Sequence, residues 1–190
     1  MNVLFAALML FQVASPFLDN DYVAVHKNAT PCASAAEACG DRVIVALGTV
    51  LFENGEMQRG DVRVFGAEES YSSPQGGDFV EVVLKRDRPE VRTSAETIIP
   101  ENYNVILYEG ERFRVIEGRL RPGDTRDRHT HNQRLIIYIN GTRLRQWPEG
   151  EPERMVDFIA DNISFSEPAT HAFENVGDES VRNIVIELKP

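Results

Sequence analysis

The feature that most restricts how this chain can fold is a succession of short apolar runs broken by turn residues. The runs are Arg42–Leu47, Asp61–Phe65, Phe79–Leu84, Asn104–Tyr108, Phe113–Ile116, Leu135–Ile139, Val156–Ile159 and Asn183–Leu188. They have strand length and strand chemistry, because branched and aromatic side chains suit a pleated, half-buried surface. The breaks carry Asn54-Gly55, Pro74-Gln75-Gly76-Gly77, Arg121-Pro122-Gly123-Asp124, Asn140-Gly141 and Pro148-Glu149-Gly150. Glycine supplies positive φ at such breaks, and proline presets φ near about −65°. Helical periodicity is weak; only Ala33–Ala38 suits a turn or two of helix. Many short strands at this spacing predict an all-β sandwich or barrel.

Three of these runs recur in order. RVIVALG at Arg42–Gly48 answers RLIIYING at Arg134–Gly141, GDVRVF at Gly60–Phe65 answers RMVDFI at Arg154–Ile159, and FVEVVLK at Phe79–Lys85 answers NIVIELK at Asn183–Lys189. Matching Arg starts and Lys ends favour a duplication over chance. The charged stretch Arg86–Pro100, with Pro89 and Pro100, joins the two copies.

Charge narrows the partners. Twenty Lys+Arg stand against thirty Asp+Glu, a net charge of −10. Nucleic acids and anionic membranes need a positive surface, so neither is expected as the main partner. Val3–Ala14 is a twelve-residue apolar run. It is too short for a bilayer, which takes about 20 residues, so stable membrane insertion is not expected. It matches the apolar region of an export signal, with Ala14 and Ser15 near a cleavage point. The absence of a preceding Lys or Arg, together with Pro16, speaks for a buried element instead. The balance favours a periplasmic or secreted protein over a cytoplasmic one. Cys32 and Cys39 are the only cysteines. In an exported chain they are expected to close a small disulfide loop; in the cytosol they would remain thiols.

Three of the four histidines fall in two short motifs. His129-Thr130-His131 places two imidazoles on one face of a strand, since side chains two apart share a face. His171, in Pro168-Ala-Thr-His171-Ala-Phe-Glu-Asn175, precedes the last strand and is expected to reach the same ion from across the fold. Neutral imidazoles suit one divalent transition metal, with Fe, Mn, Zn and Ni all open.

On these residues the chain resembles the cupin superfamily. Gly123, five residues, His129-Thr130-His131 and a closing Gly141 follow the first cupin motif; Pro168, His171 and Asn175 follow the second. The resemblance covers roughly Val105–Lys189. It implies a double-stranded β-helix, or jelly-roll barrel, and with the duplication it implies two cupin-like halves. Residues 1–15 then read as the signal segment and 16–88 as a degenerate half expected to be metal-free. Residues 89–103 form the connector and 104–190 the metal-binding domain. The family's Glu ligand is missing. Leu135 or Ile136 stands there counting forward, Arg134 counting back from Gly141, and strand alternation from His131 makes Gln133 the inward residue. Gln133 and Arg134 are therefore the candidates to orient a substrate, with His129, His131, His171 and water around the ion.

The resemblance implies a mononuclear non-haem metal enzyme, of dioxygenase, lyase or isomerase type, acting on a small, anionic molecule. A non-catalytic small-molecule-binding protein and a structural envelope protein stay open beside it, and a homodimer is compatible with all three. Arg121, Arg126, Arg128 and Arg134 surround the first motif; in an acidic chain they are expected mainly to be solvated and paired with Asp124 and Asp127, although one could clamp an anion. Glu174 is the weak candidate for a general base. Asn175 is expected to form a turn, and Tyr138 and Trp147 to pack.

Overall fold

A computed structural model of the chain describes residues 15–33, 39–89 and 104–190. The expected signal segment, the Ala-rich stretch and the connector therefore fall almost wholly outside the described residues.

Sixteen strands and no helices make up the described chain, as the all-β reading expects. No helix among the described residues is long and apolar enough to cross a membrane. The N-terminal half holds β1 (Leu18–Asp19), β2 (Val23–Lys27), β3 (Arg42–Ala46), β4 (Val50–Phe52), β5 (Gly55–Met57), β6 (Val62–Phe65) and β7 (Phe79–Leu84). The C-terminal half holds β8 (Asn104–Glu109), β9 (Phe113–Leu120), β10 (Thr125–His131), β11 (Arg134–Tyr138), β12 (Thr142–Pro148), β13 (Arg154–Phe158), β14 (Ile163–Ser166), β15 (Ala169–Asn175) and β16 (Val181–Leu188).

The sheets repeat one topology. The N-terminal sheet runs β1-β2-β7-β3-β6, and the larger C-terminal sheet runs β8-β9-β16-β11-β14. Registers match as well: Arg42 faces Val83 across β3 and β7, and Arg134 faces Glu187 across β11 and β16. The Arg42–Gly48 and Phe79–Lys85 repeats thus have the counterparts expected, Arg134–Gly141 and Asn183–Lys189. The middle pairing is corrected. β6 corresponds to β14, not to Arg154–Ile159, because β14 holds the edge position beside β11 that β6 holds beside β3. Apolar strands resemble one another, so sequence alone matched the wrong one.

These two sheets stack face to face. Val43, Val45, Val80 and Val82 of one meet Val115, Leu135, Ile137, Ile184 and Ile186 of the other in the largest core cluster. Each such side chain contributes about 1.5–3 kcal/mol on burial, so this shared core dominates the packing. The opposite faces of the same strands are covered too: Ile44 and Ala46 meet Val50, Phe52 and Met57, while Ile136 and Tyr138 meet Phe158. Burial on both faces explains why β3, β7, β11 and β16 read as unbroken apolar runs.

The fourth layer positions the site. β10-β15-β12-β13 form a four-stranded sheet facing β14-β11-β16-β9-β8. No ladder joins these two sheets among the described residues, so the jelly roll is a sandwich rather than a closed barrel. The two motif glycines serve different needs. Gly123 takes φ +80 in the turn into β10, while a Cβ at Gly141 would lie 2.7 Å from the Phe158 carbonyl oxygen.

Candidate metal centre

β10 and β15 run antiparallel, with His129 directly opposite His171 and His131 opposite Ala169. The three rings form one cluster, with centroids 4.7–5.6 Å apart. The three candidate ligand nitrogens all lie within 4.8 Å of one another. A point shared by three atoms so spaced is at most about 2.8 Å from each, against a metal–imidazole bond of about 2.0–2.1 Å. Ring movements of under about an ångström would therefore complete a coordination triangle.

Hydrogen bonds hold two of the rings through one nitrogen each. His129 Nδ1 bonds the Asp127 carbonyl at 2.7 Å, leaving Nε2 buried with no hydrogen-bond partner. A buried lone pair without a partner fits an ion, because an unsatisfied polar atom otherwise costs about 1–3 kcal/mol. His131 turns Nδ1 toward Glu187 Oε2 at 3.7 Å. At His171, the Gln146 Nε2 amide donates to Nδ1 at 3.2 Å, while Arg154 Nε donates to Gln146 Oε1 at 2.8 Å. In that arrangement a neutral His171 carries its proton on Nε2, so ligation through Nε2 requires the Gln146 amide to turn over. The donor set thus fits a transition ion at His129 and His131 as they stand, and at His171 after that turn.

Burial also sets the protonation state. It pushes His129 down to about 4 and His171 down to about 2, and it lowers His131 as well. Arg134 and Arg126 add positive potential that disfavours a further cation on any of the rings. All three imidazoles are neutral near neutral pH, the form that ligates metal.

Beside the cluster lies a cavity of about 150 Å³ between the two C-terminal sheets. That is roughly the room a single six-membered ring takes. Its polar lining includes Arg126, Arg134, His131, His171, Gln146 and Asn183, and among the described residues no Asp or Glu lines it. The rest is largely apolar, including Ile136, Leu144, Phe158, Phe173 and Val185.

Of the two residues expected near the missing Glu, Arg134 lines the cavity and Gln133 does not. Gln133 is buried elsewhere, its amide donating to Glu167 Oε2 at 3.0 Å. The inward reading of Gln133 fails because β10 ends at His131 and the chain turns at Asn132–Gln133. The alternation does not pass through that corner into β11. Arg134 Nη1 donates to the carbonyls of Asn132 (3.2 Å) and Glu167 (3.1 Å). Glu174 is likewise displaced from the site. It sits between inward-facing Phe173 and Asn175 and pairs with Arg145 at 3.0 Å. Asn175 is fully buried and structural, donating to the Leu120 and Glu179 carbonyls at 2.9 and 2.8 Å. Tyr138 lines the cavity, and Trp147 Nε1 donates outward to Glu153 at 2.9 Å.

Arg126 is the cavity residue whose role the sequence hid. Three residues before His129, it should face the other way on a regular strand. The ladder instead pairs Arg126 with Phe173 and His129 with His171, so one extra residue is accommodated between them. That bulge turns Arg126, His129 and His131 to one face, as bulges beside functional sites often do. Cys32 and Cys39 form a disulfide in this structure.

No protein-family model matches the chain, and no curated protein sequence matches it. Among solved structures, a Cupin 2 conserved barrel domain protein from Leptotrichia buccalis is similar over 93% of this chain and 88% of its own. The TM-score is 0.55 at 16% identity. The chain therefore has the cupin fold. A cupin domain from Bordetella pertussis matches 46% of this chain and 92% of its own, at TM-score 0.43 and 20% identity. Oxalate decarboxylase of Bacillus subtilis matches 77% of this chain and 63% of its own, at TM-score 0.48 and 14% identity.

Proposed function

We propose that His129, His131 and His171 hold one divalent transition metal and that the adjoining cavity receives a small anionic molecule. The observation that carries this reading is the cluster of three buried, neutral imidazoles, one with an unpartnered Nε2, of which His131 and His171 line a cavity together with two arginines. Three neutral ligands leave the cation's charge uncompensated, and Arg126 and Arg134 add to it. A carboxylate or similar anion would complete the balance. When bound, the metal would supply Lewis acidity at coordination positions that the protein leaves open. The chain's own residues orient the ligand through the guanidinium groups and exclude water with Ile136, Phe158 and Phe173.

An oxygenase, lyase or isomerase using such a centre is the leading reading. A non-catalytic binding protein is the second, supported by a cavity lining that, among the described residues, offers no carboxylate as general base. The Cys32–Cys39 disulfide supports export to an oxidising compartment.

The test is elemental analysis of natively purified protein, with about one transition metal per chain expected. A His129→Ala/His131→Ala double variant retaining as much metal as wild type would overturn the centre. For the ligand, metal-loaded protein should be stabilised thermally by small carboxylates and not by their amides, and Arg126→Gln should abolish the difference. Oxygen uptake or product formation with the stabilising compounds, or its absence, decides between enzyme and binding protein.

A further inference from the structure

Glu187 lies beside His131, and neither histidine motif accounts for it. Arg114, Glu187 and Arg134 stand directly opposite one another across β9, β16 and β11. The Glu187 carboxylate is fully buried. Oε2 accepts from Arg114 Nε at 3.0 Å and forms an ion pair with Nη2 at 2.9 Å, and Oε1 accepts the backbone N–H of Asn132 at 2.6 Å. Asn132 directly follows His131, so this carboxylate holds the corner that ends β10. Its Oε2 is also 3.7 Å from His131 Nδ1, a buried nitrogen with no hydrogen-bond partner among the described residues.

The duplication shows that the fold does not require this acid. The same three-strand row in the N-terminal half reads Ala24, Val83, Arg42. The arginine is kept, while the acid and the second arginine are replaced by apolar residues. That half has its own buried acid, Glu81, but at the position of Val185 and bonded by the Tyr71 hydroxyl. A buried carboxylate costs several kcal/mol in desolvation and needs a compensating role. It stands at position 187 only in the half that carries the histidine cluster.

Resting on the metal-centre reading, we propose that Glu187 is a positioning residue that fixes the His131 ring, drawing its Nδ1–H and leaving Nε2 for the ion. A carboxylate behind a ligating histidine orients the ring and raises its basicity, an arrangement whose loss lowers metal affinity by about 10–100-fold.

The test measures Zn²⁺ affinity by chelator competition and Co²⁺ absorption spectra for wild type, Glu187→Gln and Arg114→Leu. Gln keeps the side chain's size and an oxygen for the Asn132 N–H. The Zn²⁺ dissociation constant of Glu187→Gln should rise about 10–100-fold, with a shifted Co²⁺ spectrum. Arg114→Leu removes the competing cation and leaves the carboxylate, so its affinity should hold or tighten. Wild-type affinity and spectrum in Glu187→Gln overturn the proposal and leave the metal centre standing. Equal weakening in Arg114→Leu also overturns it, because the row would then act only as a structural brace. That second variant decides the matter if Glu187→Gln does not fold. Absence of metal binding by wild type would overturn both readings together.

Discussion

Three neutral imidazoles buried side by side should make the metal-free protein acid-sensitive in a way that can be assigned residue by residue. The perturbation is a shift from about pH 8 to about pH 5 with a chelator present. An unfolded histidine, with pKa near 6.5, is largely protonated at the lower value. Folded His129 and His171 titrate only near about 4 and about 2, so both remain mostly neutral there. The unfolded state therefore binds more protons, and stability falls as pH falls through 6.5 toward the folded values. Each imidazole contributes a loss of about RT ln(1 + 10^1.5), or about 2 kcal/mol, by about pH 5. Two make about 4 kcal/mol, a large part of a total stability of about 5–15 kcal/mol. Urea unfolding at both pH values gives the loss for wild type, His129→Gln and His171→Gln. Each variant should lose about 2 kcal/mol less than wild type between the two conditions, whatever its own stability. Equal losses in all three proteins would refute the reasoning, because the rings would then be no harder to protonate folded than unfolded.

Two further outcomes follow from the packing. Reduction of Cys32–Cys39, or a Cys32→Ser/Cys39→Ser variant, should cost about 2–3 kcal/mol by freeing a short loop in the unfolded chain, read as a lowered urea midpoint. Ile184→Ala, in the core shared by the stacked sheets, should cost about 2–5 kcal/mol. Trp147 fluorescence and far-ultraviolet dichroism should still report one coincident transition, whereas separate transitions would mean that the halves are independent folding units.

Much of this architecture is legible in the sequence, for a physical reason. Strands covered on both faces must be apolar throughout, so β3, β7, β11 and β16 are visible as runs. His129-Thr130-His131 announces itself because two imidazoles at strand spacing share a face. The strands of the outer sheet are harder to see. β10, β12 and β15 place charged or polar residues on alternate positions, and in TRDRHTH, TRLRQWP and ATHAFEN these mask the period. Counting fails where the backbone departs from the regular pleat. The bulge before His129 hides Arg126, and the corner at Asn132–Gln133 breaks the alternation that made Gln133 the inward residue. Glu187 is obscured differently, as one acid within an apolar final strand whose partners lie 55 and 73 residues away.

The duplicated topology also works as a control experiment carried within a single chain. Arg42 occupies the position of Arg134, and it too donates to the carbonyl that follows the edge strand, Gly66 where Arg134 reaches Glu167. It does so in a half that offers no paired histidines, where it also donates to the Cys32 carbonyl and lies over the Tyr71 ring. What Arg134 does in common with Arg42 therefore belongs to the strand arrangement that the two sheets share. Ligand choice should be sought instead where the copies diverge: at Arg126, which a local backbone irregularity turns inward, and at Glu187, where the sister strand carries valine.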